Sequence, residues 1–119
     1  MTRFLAGMTF AALLVLAAPA ARAQGFVTGI DDVPLMPGLT TLKDAGMAFD
    51  DEVGRVVESY AYGVVSEAEV LAFYGETLPQ LGWHAAPGRG VFDREGEVLR
   101  IEFLVGGPPL TIRFFLSPG

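Results

Sequence analysis

The sequence predicts an α+β domain in which an antiparallel sheet of about five strands carries one helix on one face. Three observations lead to this prediction. Several short segments alternate apolar and polar residues, as half-buried strands do, and one longer segment repeats its apolar residues at helical spacing. The connections between the predicted strands are too short for crossover helices, which favours antiparallel pairing. The expected order is β-β-α-β-β-β, preceded by a signal peptide.

Residues 1–23 have the composition of a bacterial export signal. Arg3 supplies the positive start, residues 4–18 are uncharged and mostly apolar, and Ala21-Arg22-Ala23 is a small-x-small cleavage pattern. We therefore expect cleavage before Gln24 and a periplasmic or secreted protein. An uncleaved membrane anchor is the alternative, although the apolar run is shorter than the ~20 residues that a spanning helix needs.

The 96 residues after the predicted signal suffice for one small domain. They hold six Lys or Arg and fourteen Asp or Glu residues, which gives a formal charge of −8. Because nucleic acids and anionic membranes repel such a chain, we predict no nucleic-acid partner, and a membrane partner only if the signal is retained. The chain has no cysteine, so disulfides, thiolate metal sites and a lipid-modified N-terminal cysteine are excluded.

The segment 24–45 is rich in Gly, Pro and Asp and shows neither helical nor strand periodicity. We predict an extended N-terminal arm that lies against the core from about Val33. The single α+β domain then covers residues 46–119.

The first two strands of this domain are predicted at 47–49 and 55–63, with a turn between them at 50–54. Alternation along the second strand places Val57, and every second residue counted from it, on one side of the sheet. Tyr60 and the residues in step with it take the other side.

The predicted helix begins at Ser66 and ends at Gly82. Ser66 and Glu69 have the spacing of a capping box, and Gly82 suits the left-handed residue that closes a helix. We expect a kink near Gly75–Pro79, because Pro79 cannot donate to the carbonyl of Gly75. At 100° per residue the apolar residues fall on one broad stripe that faces the sheet. This stripe consists of Val70, Leu71, Phe73, Tyr74, Thr77, Leu78 and Leu81.

The remainder of the chain is predicted to form strands. They cover a short piece at 83–86 and longer segments at 91–94, 97–105 and 110–117. Alternation in the last two places Arg100, Glu102 and Arg113 on the solvent side, together with Phe115. An apolar residue on an open sheet face is typical of a partner surface, so these four residues are the candidate partner surface. Alternatively, the N-terminal arm covers Phe115.

Residues 73–83 read FYGETLPQLGW, which has the pattern F-Y-x-x-x-L-P-x-L-G-W. With the segment 91–97 after it and 32–39 before it, the chain resembles small exported proteobacterial proteins of uncharacterised function. The resemblance implies a small α+β envelope domain. It implies no activity, cofactor or site residue.

Two groups of polar residues are candidate functional centres. His84 is the only histidine, and neither a nucleophile motif nor a second metal ligand accompanies it, so we interpret it as a surface residue. The run Asp50-Asp51-Glu52, with Asp31-Asp32 upstream, offers oxygen ligands for calcium. However, consecutive residues of an extended chain point in opposite directions, and the spacing of a calcium loop is absent. We therefore predict a solvated turn and no metal site.

Several aromatic residues offer a platform for a sugar or peptide, although residues at such spacing are more often core. They are Tyr60, Tyr62, Phe73, Tyr74, Trp83, Phe92 and Phe115.

The leading functional hypothesis is a non-catalytic interaction module of the envelope that uses no cofactor and binds another envelope protein. One alternative is a small hydrolase-like enzyme in which Glu58 or Glu102 is assisted by His84 or Arg113. The other is an accessory protein anchored by its uncleaved N-terminal segment.

Overall fold

A computed structural model describes residues 25–104 and 108–119. Within these residues one α-helix, α1 (Glu67–Thr77), leads directly into a turn of 3₁₀ helix at Leu78–Leu81. The predicted α+β class is confirmed, and the predicted signal peptide lies outside the described residues. The described strands are β1 (Phe26–Val27), β2 (Ile30–Pro34), β3 (Thr40–Thr41), β4 (Met47–Asp50), β5 (Arg55–Gly63), β6 (His84–Ala85), β7 (Val91–Arg94), β8 (Glu97–Phe103) and β9 (Leu110–Pro118).

The main sheet is antiparallel and has the strand order β3-β5-β9-β8-β7-β6, with β4 also paired to β5. β1 and β2 form a separate hairpin. The prediction of about five strands is too low, because the segment predicted as an extended arm contains β1, β2 and β3. β1 and β3 have two residues each and are too short to show alternation. The short strand predicted at 83–86 is present as β6. β8 ends at Phe103, whereas the sequence predicted a strand to residue 105, which lies outside the described residues.

The start of α1 is the predicted capping box. The Glu69 amide donates to Ser66 Oγ at 3.0 Å, and the Ser66 amide donates to Glu69 Oε1 at 2.8 Å. These bonds satisfy two amides that the start of a helix leaves without partners. Further along the helix, Val70 and Tyr74 are fully buried, and the Tyr74 ring meets Phe114 of β9 edge to face. The helix therefore packs on the sheet as predicted.

The end of the helical segment lies at Gly82, also as predicted. Gly82 has a φ of 93°, and its amide donates to the carbonyls of Leu78 and Pro79. The Trp83 amide then donates to the Leu78 carbonyl at 3.1 Å, so the chain folds back over the last turn. Instead of a kinked α-helix, Pro79 lies in the 3₁₀ turn, near its start.

Leu81 was predicted in the buried stripe and is instead 40% exposed. The stripe assumed 100° per residue as far as Gly82. A 3₁₀ turn has three residues per turn, so the α-helical projection no longer holds after Thr77.

The N-terminal arm is part of the core from its first strand. Val27, Ile30 and Val33 are all buried. The arm therefore packs against the core from Val27 onward, whereas the sequence predicted this contact only from about Val33. The arm is folded as the β1–β2 hairpin, and a Cβ built at Gly29 would lie 2.9 Å from Cγ1 of Val57. This contact places the hairpin on the side of the sheet that also carries α1.

Side-chain bonds attach the arm to the helix and the sheet. The Tyr74 hydroxyl donates to the Pro34 carbonyl at 2.7 Å and accepts from the Met36 amide at 3.0 Å. Asp32 accepts from Arg94, whose guanidinium lies over the buried indole of Trp83. The suggestion that the arm covers Phe115 is therefore wrong, because the arm completes the opposite, helix-bearing side.

Candidate protein-interaction face

The side of the main sheet away from α1 is called here the open face. It is formed by the residues that alternate with the buried positions of β5, β8 and β9. Strand registers place them in rows across the sheet: Glu58 pairs with Phe115, and Phe115 pairs with Arg100. The next row joins Tyr60, Arg113 and Glu102 in the same way.

All four residues of the candidate partner surface lie on this face. Arg100 is directly opposite Phe115, and Glu102 is directly opposite Arg113. The sequence therefore predicted the sides of β8 and β9 correctly, because each strand is long enough to show two or more alternations. Whether these residues bind a partner stays a prediction.

Arg113 is held at the centre of the open face. Its Nε donates to Glu58 at 2.7 Å and its Nη1 donates to Glu102, while the guanidinium lies 4.4 Å from the centroid of the Phe115 ring. Partial burial lowers the pKa of Arg113, but the hydrogen bonds to both carboxylates outweigh burial and raise that pKa overall. The cluster thus presents a fixed, charged, planar group beside an aromatic ring.

Apolar side chains surround this cluster. Tyr62 is exposed on β5, and Met47 and Phe49 of the neighbouring strand β4 are 51% and 49% exposed. Met47 pairs with Glu58 and Phe49 pairs with Val56, so both point to the open face. A strand was predicted at residues 47–49, but no face of it was assigned. The sequence does place Met47 and Phe49 on the same side of this strand, since both alternate with the small Ala48. However, three residues give only one alternation.

The predicted aromatic platform is divided between the two sides of the sheet. Tyr60, Tyr62 and Phe115 are on the open face, and Phe73 is half-buried beside the core. The other members of the set are buried on the helix side, namely Tyr74, Trp83 and Phe92.

The groups proposed for carboxylate catalysis come together only in part. Glu58 and Glu102 converge, but both bind the same guanidinium of Arg113. His84 is on the two-residue edge strand β6, with β9, β8 and β7 lying between it and the strand of Glu58. Three intervening strands separate β5 from β6 by roughly 19 Å, at about 4.8 Å per strand.

The acidic run at residues 50–52 is part of a tight turn. Asp51 Oδ1 accepts from the amides of Val53 and Gly54, and the Asp51 amide donates to the Gly54 carbonyl. Upstream, Asp32 is bound to Arg94. In the described part of the chain no group of three or more His, Asp or Glu side chains is arranged to hold a metal ion.

A cleft of about 600 Å³ lies at the β3–β4 edge of the sheet. It forms where residues 43–46 leave the sheet between β3 and β4, opposite the tip of the β1–β2 hairpin. Its walls are mainly small or apolar, and Met47 and Glu58 are shared with the open face. The lining residues are Thr28, Gly29, Thr41, Leu42, Lys43, Asp44, Gly46, Met47, Ala48, Val57, Glu58 and Ser59.

Comparison with known proteins gives no match to a family model, a curated protein or a solved structure. The resemblance to small exported proteobacterial proteins therefore stays a prediction. No helix in residues 25–104 or 108–119 combines the length and apolar character needed to cross a membrane.

Proposed function

We propose that this chain is a non-catalytic protein-interaction domain of the bacterial envelope, and that its open face binds another protein. The observation that supports this most directly is the composition of that face. An ordered Arg113–Phe115 stack is surrounded by Tyr60, Tyr62 and the half-exposed Phe49. Aromatic residues and arginine are the side chains enriched in protein interfaces.

The two sides of the sheet support the same proposal. The helix side is covered by α1 and the arm, which bury the apolar residues there completely or nearly so. The open face leaves large apolar side chains in contact with water, which is unfavourable in free energy. A bound partner would cover these side chains and remove that cost. Because both carboxylates near its centre are bound to Arg113, the face is better suited to recognition than to proton transfer.

Capture from an envelope extract tests the proposed face. The purified chain should retain a specific set of proteins, and Phe49→Ser and Tyr62→Ser should each reduce that set. Val64→Ser is the matched control, because Val64 is 81% exposed but lies in the loop before α1. Equal capture by all variants that keep the wild-type circular dichroism spectrum would contradict the proposal.

Export is the second part of this proposal, and it depends on the cleavage pattern at Ala21-Arg22-Ala23. The protein isolated from its host should have Gln24 as its first residue. An intact mass that includes residues 1–23 would instead identify the anchored accessory protein.

A further inference from the structure

The central row of the open face has an unusual distribution of charge. Across β5, β9 and β8 it reads Glu58, Phe115 and Arg100. Arg100 is exposed and forms no ion pair with any carboxylate of the described chain. An acid and a base therefore lie at equal spacing on either side of an aromatic residue.

This arrangement is complementary to itself. A two-fold axis parallel to β9, passing above Phe115, turns one sheet over and stacks it on the other. The axis brings β5 of one copy over β8 of the second copy, so Glu58 meets Arg100 twice and Phe115 meets Phe115. We propose that the open face is covered by a second copy of this chain, in this register. The inference rests on the proposed function, since it names the protein that this face binds.

The neighbouring rows match in the same orientation. β5 and β8 are both antiparallel to β9, so they run in the same direction and keep the same offset along their length. Val56 therefore meets Val98, and Tyr62 meets Leu104. In the central row, Met47 of β4 meets Val91 of β7. Arg113 faces Arg113 of the second copy, and two carboxylates of its own chain already bind each guanidinium and offset its positive charge.

Charge also favours a second copy on this face. The residues after 23 carry a formal charge of −8, so two copies repel each other over most of their surfaces. Near the centre of the open face, Arg100 and Arg113 balance Glu58 and Glu102. Two acidic molecules repel each other least where their surfaces are locally neutral, and this region satisfies that condition.

The area is sufficient for a reversible dimer. Three strands with at least seven residues each and two with four, about 4.8 Å apart and at about 3.3 Å per residue, cover roughly 460 Å² per copy. Two such faces bury roughly 900 Å² in total, below the about 1,200–2,000 Å² of stable interfaces and in the range of weak, transient ones. We expect an equilibrium between monomer and dimer that depends on concentration.

Charge reversal tests the register directly. Sedimentation equilibrium should show a wild-type dimer, and Arg100→Glu or Glu58→Lys alone should each weaken association at least tenfold. An equimolar mixture of the two variants should restore it, because both cross-contacts again join opposite charges. Lys43→Glu and Glu76→Lys are the matched controls, since they change the net charge equally at exposed sites away from the predicted contacts.

A second measurement does not depend on those variants folding normally. The chain contains no cysteine, so Phe115→Cys introduces a unique thiol on the proposed axis. A short bis-maleimide should link two copies through this thiol, and Val64→Cys should give little linked dimer.

Three results would overturn the second-copy proposal: a wild-type chain that is monomeric at all concentrations, a mixture that stays dissociated, or equal linking at both cysteines. A monomer whose capture of another protein is lost in Phe49→Ser would refute the second copy and leave the proposed function intact. Face substitutions that change neither association nor capture would refute both.

Discussion

At the scale of single residues, Tyr74 shows how one polar atom fixes the relation between two parts of the chain. Its ring is buried between α1 and β9, and its hydroxyl both donates to the Pro34 carbonyl and accepts from the Met36 amide. A buried polar group is tolerated only when it is hydrogen-bonded, so the position of the arm is coupled to this side chain.

Tyr74→Phe should lower the free energy of unfolding by about 1–3 kcal/mol, because it leaves a partly buried carbonyl and a partly buried amide without their partner. Urea unfolding of the purified chain measures this loss. Tyr62→Phe is the control, since Tyr62 is exposed on the open face and should change stability little. Equal effects of both substitutions would show that the Tyr74 hydroxyl contributes nothing specific.

The same hydroxyl gives stability a dependence on alkaline pH. Burial raises the pKa of Tyr74 above its ordinary value of about 10, even though the Met36 amide acts in the opposite direction. Above that ordinary value the folded chain keeps a proton that the unfolded chain has lost, so the free energy of unfolding falls as pH rises. The decline above about pH 10 should be steeper in the wild type than in Tyr74→Phe.

At the scale of elements, the capping box and the left-handed glycine define where the helical segment begins and ends. Both depend on residues close in sequence: Ser66 and Glu69 at the start, and Gly82 at the end. They could be predicted for that reason. The change to a 3₁₀ turn at Leu78 and the exposure of Leu81 could not be predicted from the sequence. The preference of a short segment for 3₁₀ geometry is weak, and packing against the rest of the fold determines whether it forms.

Ser66→Ala should destabilise the chain by about 1 kcal/mol through loss of the cap to the Glu69 amide. Thermal unfolding followed by circular dichroism at 222 nm provides the measurement. Ser66→Asp keeps an oxygen acceptor at the same position and should restore most of the stability. If alanine and aspartate behave alike, the cap does not stabilise the helix.

At the scale of the whole molecule, the arm belongs to the folded unit. It was predicted as an extended segment outside a domain of residues 46–119, yet its hairpin supplies the buried residues Val27, Ile30 and Val33. Without these residues the helix side of β5 would lose part of its cover. The boundary expected at residue 46 therefore does not divide the described structure into a core and a tail.

Ile30→Ala should cost about 2–5 kcal/mol, the range typical of a fully buried aliphatic residue. Val53→Ala is a suitable control because Val53 is largely exposed in the β4–β5 turn. Chemical denaturation of both variants compares them directly. A loss below about 0.5 kcal/mol for Ile30→Ala, the usual size for a surface substitution, would mean that the arm is not part of the cooperative unit.

Features that depend on neighbours along the chain could be predicted from local sequence patterns. These are the antiparallel α+β class, the limits of the helical segment, and the sides of β8 and β9 on which Arg100 and Phe115 lie. Helical and strand periodicity have a range of a few residues, so they suffice for such features.

The tertiary structure alone decided which side of the sheet the arm covers, and that decision leaves the open face uncovered. It also brought Glu58 to Arg113 across 55 residues and placed Phe49 beside them. Strand order and the burial of the arm depend on packing between segments that are distant in the sequence. Side-chain alternation within one strand carries no information about which strand lies next to it.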